Sequence, residues 1–139
     1  MSCSICLRGH ILTRMLAHAR AERPMECCGL LAGRDGVITD IFPAENILAS
    51  GTAYAIAPRD LFRLFRTMRS NGLEHLGIYH SHPSSENVPS ASDIAQAYYP
   101  GQAYFIVSPG DDARKPVRAF SIRDVEAREL DILVEGTQE

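Results

Sequence analysis

Apolar positions recur along the chain with two different periods. Between residues 11 and 21, Ile11, Leu12, Met15, Leu16 and Ala19 fall on one helical face, the spacing of a helix buried on one side. Pro24 closes that stretch. Residues 28–32 form a short apolar run, Asp35-Gly36 is a hairpin turn signal, and residues 37–42 return from it, which predicts two antiparallel strands. Residues 45–52, with their Asn, Ser and Gly, read as a loop, and residues 54–57 as a short strand. Pro58 suits the first turn of a helix, predicted over residues 59–70. Its apolar positions are Leu61, Phe62, Leu64, Phe65 and Met68. Arg59, Arg63, Arg66 and Arg69 recur at helical spacing as a solvated stripe.

Asn71-Gly72 ends that helix, and residues 75–82 read as a strand leading out of the core. A loop with two prolines covers residues 83–89, and Ser90 opens a short helix running to about residue 98. Residues 103–108 are almost continuously apolar, as expected of a central strand. After a turn at residues 109–112, residues 117–122 form another strand. The tail alternates Leu130, Ile132 and Val134 with Glu129, Asp131 and Glu135. That period of two predicts a final edge strand, with a helix over residues 125–134 as the alternative. Together these elements make a mixed sheet flanked by two longer helices and one short one. No repeat, low-complexity tract or linker interrupts them, so residues 1–139 are expected to form a single domain.

The chain has 139 residues, of which 45% are hydrophobic and 22% charged, the balance of a globular domain rather than a disordered one. Its 14 Lys+Arg against 17 Asp+Glu give a net charge of -3, which argues against a nucleic-acid coat or a polybasic membrane module. No apolar run approaches the ~18 residues of a membrane span, and residues 1–10 lack the layout of a secretory signal. The expected location is the cytoplasm, with neither nucleic acid nor membrane as partner. Four cysteines occur, at positions 3, 6, 27 and 28. In a reducing compartment they are expected as thiols. A four-thiolate zinc site is the alternative, weakened because adjacent Cys27 and Cys28 lack the residues that splay two ligands apart.

The candidate chemistry lies in His80-Ser81-His82-Pro83 and Ser90-Ala91-Ser92-Asp93. Residues two apart on a strand point to the same face, their Cα atoms about 6.6 Å apart, so two imidazoles can converge on one ion. With Asp93, one turn into the following helix, they would complete a His, His, carboxylate set that leaves a corner for water. Ser90-x-x-Asp93 also reads as a capping box, and the two readings are compatible. Glu26 alone is a carboxylate at a strand end.

These residues, in this order, resemble the signature of the JAMM (MPN+) zinc metalloproteases. That signature has an upstream Glu, then His-x-His-Pro, six residues, Ser, two residues and Asp. Here it is met by Glu26, His80, His82, Pro83, Ser90 and Asp93, and residues 24–33 resemble the family's Pro-x-Glu-x-x-Gly-x-Leu-x-Gly segment. The resemblance implies an α/β fold, a mixed central β-sheet sandwiched by helices, related in outline to cytidine deaminases. It implies one Zn²⁺ per chain on His80, His82 and Asp93, with Glu26 as general base and Ser90 as donor to the oxyanion. It implies a substrate with a C-terminal Gly-Gly, a ubiquitin-like or sulfur-carrier protein cut after that end. Residues 54–57 and 84–88 are candidate walls for the substrate tail. A homo-oligomer stays open. The competing readings are a metal-free scaffold of the same family and a zinc deaminase. The deaminase needs His-x-Glu before Pro-Cys-x-x-Cys, whereas Cys3-x-x-Cys6 precedes every histidine and lacks the proline.

Overall fold

The computed structural model describes residues 3–135; residues 1 and 2 of the stretch read above for an export signal lie outside them. Seven strands and three helices follow in the order β1 (Ser4–Arg8), α1 (Gly9–Glu22), β2 (Cys28–Arg34), β3 (Val37–Ala44), α2 (Pro58–Ser70), β4 (Glu74–Ser81), α3 (Ala91–Ala95), β5 (Ala103–Val107), β6 (Val117–Arg123) and β7 (Glu126–Glu135). The sheet is mixed, in the order β1-β3-β2-β4-β5-β6-β7. β4 and β5 run parallel, and β2 is antiparallel to both β3 and β4.

Alternation of side chains sends the strands' apolar residues to two sides. On one, Leu31, Tyr79 and Phe105 pack with Ile11, Met15 and Ala19 of α1. On the other, Leu30, Ile78, Tyr104 and Ile106 pack with Leu64 and Met68 of α2, and Ile94 of α3 joins them. Helices therefore cover both faces of the central sheet, as expected. β2, β4 and β5 carry almost no exposed position because they are covered twice. Asp35 and Gly36 take φ of 55° and 77° in the β2–β3 turn, the positive values that a two-residue hairpin of this hand needs. The four arginines of α2 are exposed.

Three expectations need correction. Residues 54–57 form no strand. Asn46 occupies the backbone around them instead: its amide donates to the Ala53 carbonyl and its oxygen accepts from Ala55 N–H. α3 is five residues long rather than nine, and its C-cap is already Gln96. β7 is not an edge. It pairs with β6 and, in parallel, with β1 from Ser4 to Arg8, and β1 also reaches β3 at Cys6 and Leu7. The sheet thus closes on itself, with β7 paired to β6 over Glu126 to Leu130 and to β1 over Asp131 to Glu135.

Closure demands tight passages. A Cβ on Gly33 would stand 1.8 Å from the Val37 carbonyl oxygen, at the bulge where the β2–β3 register shifts. That neighbour is backbone and has nowhere to go. Gly33→Ala is expected to lower stability by about 1–3 kcal/mol, read as a lower denaturation midpoint with an unchanged slope.

Candidate metal centre

β4 ends beside the C-terminal end of β5, with His80 opposite Ile106 and Ser81 opposite Val107. His82 lies one residue past the strand, and its N–H donates to the Val107 carbonyl at 2.9 Å, continuing the ladder. This keeps His80 and His82 in strand alternation, on one side of the chain. The intervening Ser81 points the other way, where its hydroxyl accepts the Cys27 N–H at 2.8 Å. Cys28 pairs with His80 across β2–β4. Ser81 therefore ties the segment carrying Glu26 to the segment carrying the histidines.

Asp93 arrives from α3. Ser90 is its N-cap: the hydroxyl accepts the Asp93 N–H at 3.0 Å, and the Asp93 carboxylate accepts the Ser90 N–H at 2.9 Å. The capping box of Ser90-x-x-Asp93 is formed, and the capped carboxylate still faces the histidines, so the cap leaves Asp93 available as a candidate ligand. Asp93 Oδ1 lies 3.2 Å from His80 Nε2, Oδ2 lies 3.0 Å from His82 Nε2, and the two Nε2 atoms are 3.1 Å apart. Among the described residues, His80, His82 and Asp93 are the group of ligand atoms close enough to hold one ion.

The donor set fits a divalent metal. A tetrahedral zinc site with bonds of 2.0–2.1 Å spaces its ligand atoms about 3.3 Å apart. The Nδ1 of His82 lies 2.8 Å from the Glu86 carbonyl. A carbonyl only accepts, so Nδ1 carries the hydrogen and the neutral ring turns a bare Nε2 toward a carboxylate. Lone pairs facing one another in a buried site call for a cation between them. A carbonyl on the far nitrogen is also the usual way a ligand histidine is oriented.

The same contacts shift the charge states. Burial alone would raise the Asp93 carboxyl, but the neighbouring His80 and His82 rings, and then the Ser90 N–H, hold it well below the usual carboxylate range. Burial lowers His80, against the opposing pull of Asp93. Burial also works to lower His82, but Asp93 and the Glu86 carbonyl outweigh it and raise that ring. Glu26 is 4% exposed. Burial pushes its carboxyl up to about 7, with His82 pulling it down and Asp93 pushing it up. Its Oε1 is buried without a hydrogen-bond partner among the described residues, an acceptor with its capacity unused.

Tyr54 stacks on His80, ring centroids 4.5 Å apart. It also lines a cavity of about 180 Å³ whose walls include Leu30, Ile56, Leu61, Ile78 and Tyr104. Of the candidate tail walls, residues 54–56 therefore border an apolar cavity, and Tyr54 joins it to the His80 side of the candidate site. In residues 84–88, Glu86 holds His82, and Asn87 is buried with its amide donating to the Lys115 carbonyl at 2.8 Å. Sequence reasoning did not find Ser81, Glu86, Asn87 and Asn46 as supports, because each acts through a backbone group that no motif spells. The four cysteines are free and make no metal cluster among the described residues. Burial pushes the Cys27 and Cys28 thiols up to about 11 and about 12, which keeps them protonated at neutral pH.

Residues 9–123 match the family model described as prokaryotic homologs of the JAB domain. The chain belongs to the JAB (JAMM/MPN) family. The JAB chain is 36% identical over 131 residues to a desampylase of Haloferax volcanii, covering 92% of this chain and 91% of that one. It is 33% identical over 122 residues to a CysO-cysteine peptidase of Mycobacterium tuberculosis, covering 86% and 84%. A solution structure of a Desulfitobacterium hafniense protein superimposes with a TM-score of 0.85 at 34% identity, covering 96% and 95% of the two chains. The JAB chain is a hydrolase of the JAMM type, which removes the scaffold and deaminase alternatives. No helix among the described residues is long and apolar enough to cross a membrane.

Proposed function

We propose that this JAB chain is a zinc-dependent peptidase that hydrolyses the amide bond after the C-terminal Gly-Gly of a ubiquitin-like or sulfur-carrier protein. The observation that carries the proposal is the convergence of His80, His82 and Asp93 within 3.0–3.2 Å beside a buried carboxyl, Glu26, with an unused oxygen. Bound there, zinc supplies Lewis-acid activation of water and of the scissile carbonyl at neutral pH. His80, His82 and Asp93 hold the ion. Glu26 takes the proton from the attacking water and returns it to the leaving amine, a task suited to a carboxyl whose pKa stands near neutrality. The Ser90 oxygen already accepts the Asp93 N–H, which leaves its own hydrogen free to donate to the oxyanion.

The substrate class draws support from the relatives, a desampylase and a CysO-cysteine peptidase. The apolar lining of the cavity beside Tyr54 supports a place there for an apolar residue of the carrier tail.

The test is direct. Zinc-loaded protein, incubated with a carrier extended beyond Gly-Gly by a single cysteine, is expected to release the cysteine and leave the carrier ending in Gly-Gly, read by intact mass. Inert behaviour toward every Gly-Gly extension, with about one zinc bound per chain, would overturn the substrate assignment.

A further inference from the structure

The two histidines of the cluster are held differently. His82 is oriented by a hydrogen bond from Nδ1 to the Glu86 carbonyl at 2.8 Å. The Nδ1 of His80 is buried and has no hydrogen-bond partner among the described residues. A ligand histidine without that bond can turn about its ring axis, which moves Nε2 away from the metal position. What lies on the His80 ring is Tyr54, stacked at 4.5 Å with 22° between the planes. The edge of the His82 ring closes the arrangement at 4.9 Å and 63°. Turning the His80 ring out of its plane would drive its edge into the phenol face.

We propose that Tyr54 is the positioning residue of His80, its stacked ring fixing the imidazole orientation that a hydrogen bond fixes for His82. The inference rests on the metal-centre reading above. Metal binding withdraws electron density from an imidazole, and a more positive ring is held more firmly against an aromatic face.

Tyr54 is itself held in place. It lies in the strandless stretch before Pro58, where Asn46 clamps both of its neighbours by donating to the Ala53 carbonyl at 3.0 Å and accepting the Ala55 N–H at 3.2 Å. The Ile47 N–H adds a bond to the Ala55 carbonyl at 3.0 Å. The same Asn46 amide donates to the Glu26 carbonyl at 3.1 Å. One side chain therefore sets the ring that orients a ligand and the segment that carries the proposed base.

The test uses the full chain, stripped of metal and reloaded with zinc or cobalt(II), in wild type, Tyr54→Phe, Tyr54→Leu and Tyr54→Met. The zinc dissociation constant is read by competition with a chromophoric chelator. Ligand geometry is read from the visible absorption of the cobalt form, and folding from the melting temperature of the metal-free protein. Tyr54→Phe keeps the flat face and is expected to match wild type in affinity and spectrum. Tyr54→Leu and Tyr54→Met fill the volume without a face. Each is expected to weaken zinc by about tenfold and to shift the cobalt bands, and either suffices if the other does not fold. Wild-type affinity and an unchanged spectrum in the non-aromatic variants would overturn the inference while leaving the metal centre standing. A loss in Tyr54→Phe equal to that in Tyr54→Leu would overturn it in favour of the hydroxyl. Wild type binding neither metal would overturn the metal-centre reading as well.

Discussion

Asp93→Ala is expected to lose metal and turnover together. The carboxylate is the one ligand that touches both histidines, at 3.2 Å and 3.0 Å, and the one that brings negative charge to the site. Alanine leaves two neutral imidazoles, too few donors for a stable zinc site. Elemental analysis after dialysis is expected to find about one zinc per wild-type chain and almost none in the variant, with hydrolysis falling below detection. A second readout separates lost binding from lost folding. A ligand that binds only the native state stabilises it by about 2.7 kcal/mol at a hundred times its dissociation constant. Added zinc should therefore raise the melting temperature of wild type by several degrees and leave that of Asp93→Ala unmoved. Equal zinc in both proteins would take Asp93 out of the ligand set.

Glu26→Gln is expected to separate chemistry from metal. Glutamine keeps the size of the side chain and removes the group that accepts and returns a proton. Turnover should drop by about 10²–10⁴-fold, while zinc stays near one per chain because Glu26 is not among the clustered ligand atoms. Ser90→Ala is expected to follow the same division with a fall of about 10²–10³. The backbone N–H of residue 90 still supports Asp93 in that variant, so zinc is retained, and the lost cap costs about 1 kcal/mol of stability. Initial rates at saturating carrier beside metal content decide both cases. A Glu26→Gln enzyme with full turnover would end the general-base role.

Much of this was legible in the chain. The α1 face at Ile11, Met15 and Ala19, the Asp35-Gly36 hairpin and the buried run from Ala103 to Val107 are local patterns, set by the period of helix or strand and by turn chemistry. The candidate ligands were legible for the same reason, since strand alternation puts His80 and His82 on one side and a cap motif marks the helix that carries Asp93. The stretch from residue 54 to 57 misled because Tyr54 and Ile56 alternate with strand character, yet the Asn46 side chain bonds the backbone at Ala53 and Ala55 in place of a neighbouring strand. The period of β7 was correct and its edge position was not. A strand's alternation is the same at an edge and inside a sheet, and only the pairing with β1, more than a hundred residues earlier in the chain, distinguishes the two.

The sequence by itself determined which side chains face together within each element, because that follows from spacings of two to four residues, and it offered the candidate metal-site residues in the order of the family signature. Only the tertiary structure decided how the site is held: Ser81 pinning the Glu26 segment, the Glu86 carbonyl turning His82, Tyr54 lying on His80, and β1 closing the sheet. Those contacts join residues distant in the chain, or join side chains to backbone groups that every residue possesses. No spacing encodes them, and they exist only once the packed core has brought the segments together.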